Sequence, residues 1–244
     1  NVVRVPLRWY WGEGDTAGQS DQESRMTEAP GHIKPEMLAL LDRHIKWATD
    51  QKLWVVLFIG SDPIWGDQAF LKEYSEVWEF LANRYKDTPY IAAYEILAEP
   101  HPKEPYTQED VKNFFRMNIN AIRKYDTKTP TIIGAAKAVG CATGTYDVRC
   151  LEAIYMGDIP NMIYTFNFYE PPQYVKGERR GGGSYPGTFY NEGTKSNFYV
   201  DKNYLASLIK YGTDFSAAHQ VPLFVNQIGV TMATGGSDQY TTDA

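Results

Sequence analysis

Six continuous apolar, β-branched runs recur along the chain: VVRVPLRW (2–9), LWVVLFIG (53–60), IAAYEIL (91–97), PTIIGAA (130–136), NMIYTFNFY (161–169) and VPLFVNQIGV (221–230). Runs that are apolar throughout, with little strict alternation, suit strands buried on both faces. Helical patterns separate them: PEMLALLDRHIKWATDQ from Pro35, FLKEYSEVWEFLANRY from Phe70, TQEDVKNFFRMNINAIRKY from Thr107 and NYLASLIKYGTDFSAAH before the last run. Pro35 opens the first, and an N-cap Thr followed by acids opens the third. Apolar strands alternating with amphipathic helices predict a parallel sheet covered by helices, either an open doubly wound sheet or a closed barrel.

Two observations choose the barrel. No glycine-rich phosphate turn follows the first run, so the nucleotide-binding open sheet lacks its motif. Polar and aromatic residues also recur at the C-terminal ends of several runs, as Arg8 and Trp9, Glu99 and His101, Asn167 and Tyr169, and Gln227. An eight-stranded α/β barrel builds its active face in that way. The chain opens inside an apolar run and stops at YTTDA (240–244), which reads as a helix start. The expectation is one (β/α)8 TIM-barrel domain over residues 1–244, with the first and last strands outside this stretch.

Composition excludes several partners. The formal charge is −6 with acids and bases interspersed, so no basic stripe offers itself to nucleic acid. No apolar run approaches the roughly 20 residues of a membrane span. Cys141 and Cys150 lie in a loop-like stretch, compatible with a local disulfide in an exported protein or with two thiols. No further Cys or His stands at ligand spacing, so no structural metal is expected. Aromatics make up 14% of the chain, with 18 Tyr and 6 Trp, and many fall between the periodic segments, where they suit a stacking surface.

The segment AAYEILAEPHP (92–102) runs from a buried strand straight into Glu99. An ionised carboxylate at such a position loses several kcal/mol of hydration unless it is compensated. Glu99 is therefore either paired, as a structural salt bridge, or chemically active. VRVPLRW, YEILAEPHP, YTFNFYEP and LFVNQIGV, in this order, resemble the strand-end motifs of glycoside hydrolase family 5, the cellulase and mannanase family of retaining (β/α)8 barrels. The resemblance implies that Glu99 is the acid/base and that position 227 is the nucleophile's place. The two would be carboxylates about 5 Å apart across the scissile bond. It further implies that Arg4 pairs with the nucleophile and that Tyr169 hydrogen-bonds beside it; the bland alternative is that Arg4 pairs with a core acid, Glu99 included.

Three positions depart from that pattern. Position 227 is Gln, whose amide forms no glycosyl-enzyme intermediate; the shape-preserving swap reads as an inactivating Glu-to-Gln replacement, with a natural pseudoenzyme as the alternative. Position 98 is Ala where the family has an Asn that contacts the sugar 2-hydroxyl, which points to an atypical sugar in the −1 subsite. Asn167 stands where a His is common and can itself donate to a sugar hydroxyl. His101 follows the Glu-Pro pair as family members have it, or is a loop hydrogen-bonder. Trp9, Trp11 and Trp65 sit just past strand ends, as a pyranose platform or as packing, while Trp47, Trp54 and Trp78 read as core. The segment 169–193, rich in Gly, Pro and Tyr, reads as a long loop over the cleft, with Tyr174, Tyr185 and Tyr190 reaching substrate.

The reading is a retaining β-glycosidase for a β-linked glucan or related oligosaccharide or polysaccharide, secreted or periplasmic, monomeric and free of cofactor or metal. The alternatives are an inactive carbohydrate-binding barrel and a mannan-, xylan- or glycolipid-directed member of the same family.

Overall fold

All six apolar runs form strands of one sheet. The computed structural model describes residues 1–7, 27–28, 32–60, 62–136, 148–175, 184–191 and 194–229. Its strands are β1 (Val2–Leu7), β4 (Trp54–Ile59), β5 (Ile91–Glu95), β6 (Thr131–Gly134), β7 (Met162–Phe168) and β10 (Leu223–Ile228). They lie in sequence order, β1-β4-β5-β6-β7-β10, with every neighbouring pair parallel. The sheet curls with helices on its outer face, a partial (β/α)8 barrel. The connecting helices are α1 (Pro35–Asp50), α2 (Gln68–Tyr85), α3 (Gln108–Arg123) and α6 (Lys202–His219).

Strand alternation sorts the side chains. Val55, Leu57 and Ile59 of β4 point outward and join Leu41, Ile45, Trp78 and Leu81 of the helices in the main core. Val56 of β4, Ala93 of β5 and Ile132 of β6 point inward and form a smaller cluster inside the curl, with Ile163 and Phe224 against them. Continuing that inward row by twos reaches Glu95 on β5 and Asn167 on β7, so the pleat aims the polar groups at the interior.

Helix α2 fixes the exit of β5. The Tyr74 hydroxyl and the Trp78 indole N–H both donate to the Ile96 carbonyl at 3.1 Å, and Ala98 N–H donates to Ile59 O at 2.8 Å. The backbone that carries Glu99 is thereby tied to a fully buried helix face. Helix α3 opens with a capping box between Thr107 and Asp110.

Three expectations change. Trp78 is core, but Trp47 and Trp54 are 58% and 47% exposed. On α1 the buried positions are Leu41, Ile45 and Ala48, a stripe that excludes Trp47, whose ring lies beside His44. Trp54 is the first residue of β4, where it meets the edge of Tyr90. The third change is in the segment read as one loop. It contains the short helix α5 (Pro172–Val175) and strand β8 (Gly187–Asn191), which pairs antiparallel with β9 (Ser196–Val200). Short strands β2 (Thr27–Glu28) and β3 (His32–Ile33) form a further pair, and a one-turn helix α4 (Leu151–Ile154) precedes β7. Among the described residues, no helix is long and apolar enough to cross a membrane.

Candidate active site

The ends of β5, β7 and β10 converge on two amides and a carboxylate. Asn167 Nδ2 donates to Glu99 Oε1 in a short hydrogen bond. On the neighbouring strand Gln227 is the ladder partner of Asn167. Two residues beyond Asn167, the Tyr169 hydroxyl donates to Gln227 Oε1 at 3.1 Å. Glu99 and Gln227 are thus each held by a side chain from the β7 end. The Tyr169 contact orients the amide, with Oε1 toward the phenol and Nε2 free to point elsewhere. Burial raises the Tyr169 pKa, helped by the Glu99 charge and opposed by Arg4, so the phenol stays a donor at neutral pH.

A bulge makes room for this arrangement. The β10 register against β7 shifts between Val225 and Gln227, which inserts Asn226 as an extra residue. Consecutive side chains therefore serve the same interior: Asn226 Nδ2 donates to Glu95 Oε1 at 2.7 Å while Gln227 meets Tyr169. Glu99 itself has φ of 59°, a left-handed backbone that costs a non-glycine residue of order 1–3 kcal/mol. Strain of this kind collects at functional positions.

Arg4 has a different partner from the one the resemblance implies. Its guanidinium forks onto Glu95, with Nε to Oε2 and Nη2 to Oε1 both at 2.9 Å, and its Cζ lies 4.1 Å from the centre of the Phe58 ring. The physical reason is charge. Gln227 carries none, whereas Glu95 is fully buried and needs a counter-ion. Burial nonetheless pushes the Glu95 carboxyl above the usual carboxylate range, against Arg4 and Asn226, which favour its ionised form.

Asp62 is a second acid that the sequence reading missed. It accepts the His101 backbone N–H at 2.9 Å and the Trp65 indole N–H at 3.3 Å. Burial raises its pKa, and the nearby Glu99 adds to the rise. The signals were present: an acid three residues past the β4 run, and an acid inside the β5 run four residues before Glu99. His101 is a loop hydrogen-bonder, its Nδ1–H donating to Glu99 O at 2.8 Å while the ring stays exposed. Trp65 is half-buried, edge-on to Phe114. Ala98 is buried at the Glu99 strand end.

Tyr174 does not line the cleft. It is 4% exposed, packed with Tyr185 and Phe189, because these rings join the main core beneath α5 and the β8–β9 hairpin. Tyr185 is buried with it, and Tyr190 remains exposed. Trp9 and Trp11 lie outside the described residues. Cys150 is disulfide-bonded, and Cys141 also lies outside them. Among the described residues, no cluster of His, Cys, Asp and Glu could hold a metal ion.

A partial parallel barrel with a carboxylate just past β5 and an amide on β10 is the architecture of the barrel glycoside hydrolases, with an amide at one of the two polar positions. The chain matches the model of the cellulase family, glycosyl hydrolase family 5, over residues 1–244, and belongs to that family. It is similar to Endoglucanase H of Acetivibrio thermocellus, 23% identical over 176 residues, which cover 71% of this chain and 17% of that protein. Endoglucanase Cel5A of Thermotoga maritima superposes with a TM-score of 0.69 at 22% identity, covering 94% of this chain and 67% of that one. A hyperthermophilic endo-β-1,4-glucanase solved with substrate superposes with a TM-score of 0.71 at 17% identity, over 99% of this chain and 72% of that one. The Thermotoga enzyme has also been solved with cellobiose and with mannotriose. The chain thus spans less than a fifth of its curated relative and about two thirds of these solved endoglucanases.

Proposed function

We propose that the chain is the catalytic barrel of a β-glycan-directed glycoside hydrolase, with Glu99 as proton donor and Gln227 in the nucleophile's place. One observation carries this reading. Glu99 and Gln227 sit on converging strand ends, each fastened by a hydrogen bond from the β7 end, as two groups on opposite sides of one glycosidic bond need to be. An amide at 227 has no charge with which to attack an anomeric carbon, so the chain leaves ordinary glucans and mannans uncut. Substrates of the cellobiose and mannotriose class, which the Thermotoga structures hold, are the first to try. The Cys150 disulfide supports a secreted or periplasmic setting, where such bonds persist.

The second reading, a carbohydrate-binding barrel without catalysis, is favoured by Gln227 itself. Gln227→Glu separates the two. The enzyme reading expects hydrolysis of β-glucan, mannan, xylan or aryl β-glycosides to rise by at least ~10³-fold over the unsubstituted chain, and to be lost again in Gln227→Glu/Glu99→Gln. If the folded Gln227→Glu protein binds oligosaccharide in calorimetry yet hydrolyses none of them, the binding module is the correct reading.

A further inference from the structure

Glu99 stands in a turn that hydrogen bonds hold from both sides. Upstream, the Ala98 N–H donates to the carbonyl of Ile59, the last residue of β4, at 2.8 Å. Downstream, Pro100 has no N–H to give, so His101 carries the first backbone donor beyond Glu99. That donor points at the Asp62 carboxylate, 2.9 Å from Oδ1 and 3.1 Å from Oδ2. Both tethers therefore run to one short segment, residues 59–62, where the chain leaves β4. A third bond closes the turn on itself, with His101 Nδ1–H donating to Glu99 O at 2.8 Å.

The turn needs holding. Glu99 has φ of 59°, a backbone that a residue with a side chain keeps only where its surroundings impose it. Released on the His101 side, the peptide is free to relax and to swing the carboxyl away from Asn167, its partner on β7. A carboxylate suits this clamp better than a neutral acceptor, because its charge strengthens the bond to a backbone N–H and its two oxygens serve several donors at once. Asp62 is itself aimed. The Trp65 indole N–H donates to its Oδ1 at 3.3 Å, and the Trp65 ring stands edge-on to Phe114 of α3 at 5.3 Å.

Resting on the assignment of Glu99 as proton donor, we propose that Asp62 is a positioning residue for it, holding the Glu99 turn through the His101 backbone so that the carboxyl meets the leaving-group oxygen. Asn167 grips the Glu99 side chain, whereas Asp62 fixes the backbone that carries it.

The chemistry supplies a readout that a merely structural role would not move. A sugar leaving group must take a proton as its bond to C1 breaks, whereas 2,4-dinitrophenolate departs without one. A misplaced acid therefore slows the first kind of substrate and spares the second. The comparison is made in kcat/KM, which reports the steps up to the first bond cleavage and not the later attack of water that Glu99 also assists.

The test uses the full chain carrying Gln227→Glu, which supplies the nucleophile. Its substrates are cellotetraose or mannotetraose, whichever it cleaves, and the 2,4-dinitrophenyl β-glycoside of the matching disaccharide. Asp62→Ala is expected to lower kcat/KM on the tetrasaccharide by roughly 10²-fold, through kcat more than KM, and to leave the dinitrophenyl glycoside within a few-fold. Asp62→Asn keeps one acceptor oxygen for the His101 N–H and should recover most of the loss. It should show the same leaving-group bias in milder form, and it carries the test if Asp62→Ala does not fold. Equal losses on both substrates in a folded variant, or no loss on either, overturn this inference and leave the glycosidase reading standing. If the Gln227→Glu chain cleaves none of these compounds, both fall.

Discussion

Asn167 directs its amide at Glu99 while its own backbone is paired with Gln227, so one residue sets the bearing of both sides of the site. It is 6% exposed, which leaves little freedom for another orientation. This makes it a positioning residue, whose loss misplaces Glu99 without unfolding the strand. In a Gln227→Glu background, Asn167→Ala is expected to lower kcat by roughly 10²-fold with KM changed only a few-fold. Asn167→His, which retains a ring N–H donor, should recover most of the rate. Steady-state kinetics beside a melting curve decide the matter, since a purely structural role would lower the melting temperature and affect both variants alike. Glu99 stands out in the sequence as a carboxylate just past an apolar run, whereas Gln227 stands out only through the resemblance of LFVNQIGV to the family's strand-end motif. Glu95 and Asp62 were visible as acids in or beside apolar runs, but their significance lies in partners far away in sequence: Arg4, Asn226 and His101.

At the scale of elements, the helices hold the sheet by contacts with opposed terms. Gly212 of α6 faces the sheet, and a Cβ there would sit 2.8 Å from Leu223 Cδ2 and 3.0 Å from both Phe166 Cε1 and Val148 Cγ2. Gly212→Ala gains about 1 kcal/mol of helix propensity. Overpacking against a buried ring costs about 1–3 kcal/mol. The packing term wins, and a melting temperature lowered by a few degrees is expected; a rise would show that α6 can lift off the sheet without cost. Between α1 and α2, Asp42 accepts from Arg84 Nε at 2.9 Å and from the Tyr85 hydroxyl at 2.6 Å. The Arg84 hydrogen bond, foremost, holds the Asp42 carboxyl below its usual value. A depressed folded-state value means stability that is present above the unfolded pKa of about 3.9 and is lost as pH falls through the folded one. The pair is partly exposed, so Asp42→Asn should cost at most about 1 kcal/mol at pH 7. Denaturant titrations should show that difference shrinking toward zero near pH 2, and a constant difference would contradict the assignment. The helices and the six strands were readable from periodicity. The β8–β9 hairpin was not, because Gly, Pro and Tyr in 169–193 look the same in a mobile loop and in a short hairpin until Phe189 is seen to be buried.

Across the whole molecule, Arg4 on β1, Glu95 on β5 and Asn226 on β10 join three strands through the interior of the curl. The ion pair is no measure of net stability, because removing two charges from water offsets most of their attraction. Its removal one side at a time is a different matter. Arg4→Met leaves the fully buried Glu95 without its counter-ion, and a loss of about 3–5 kcal/mol is expected. The double variant Arg4→Met/Glu95→Met removes the stranded charge as well and should regain most of that loss, a coupling that a double-mutant cycle reads directly. Acid supplies an independent check with a defined sign. The Glu95 carboxyl is already raised by burial, and losing Arg4 raises it further. A raised folded-state value favours the fold below the unfolded pKa and withdraws that support as pH climbs through the folded value. Arg4→Met should therefore become less destabilised, relative to the unsubstituted chain, as pH falls from 7 toward 4, the reverse of the trend at Asp42. If its deficit is instead the same at both pH values, or if the double variant is no more stable than the single one, water reaches Glu95 and the interior of the curl is not the dry space in which the two charges must answer each other.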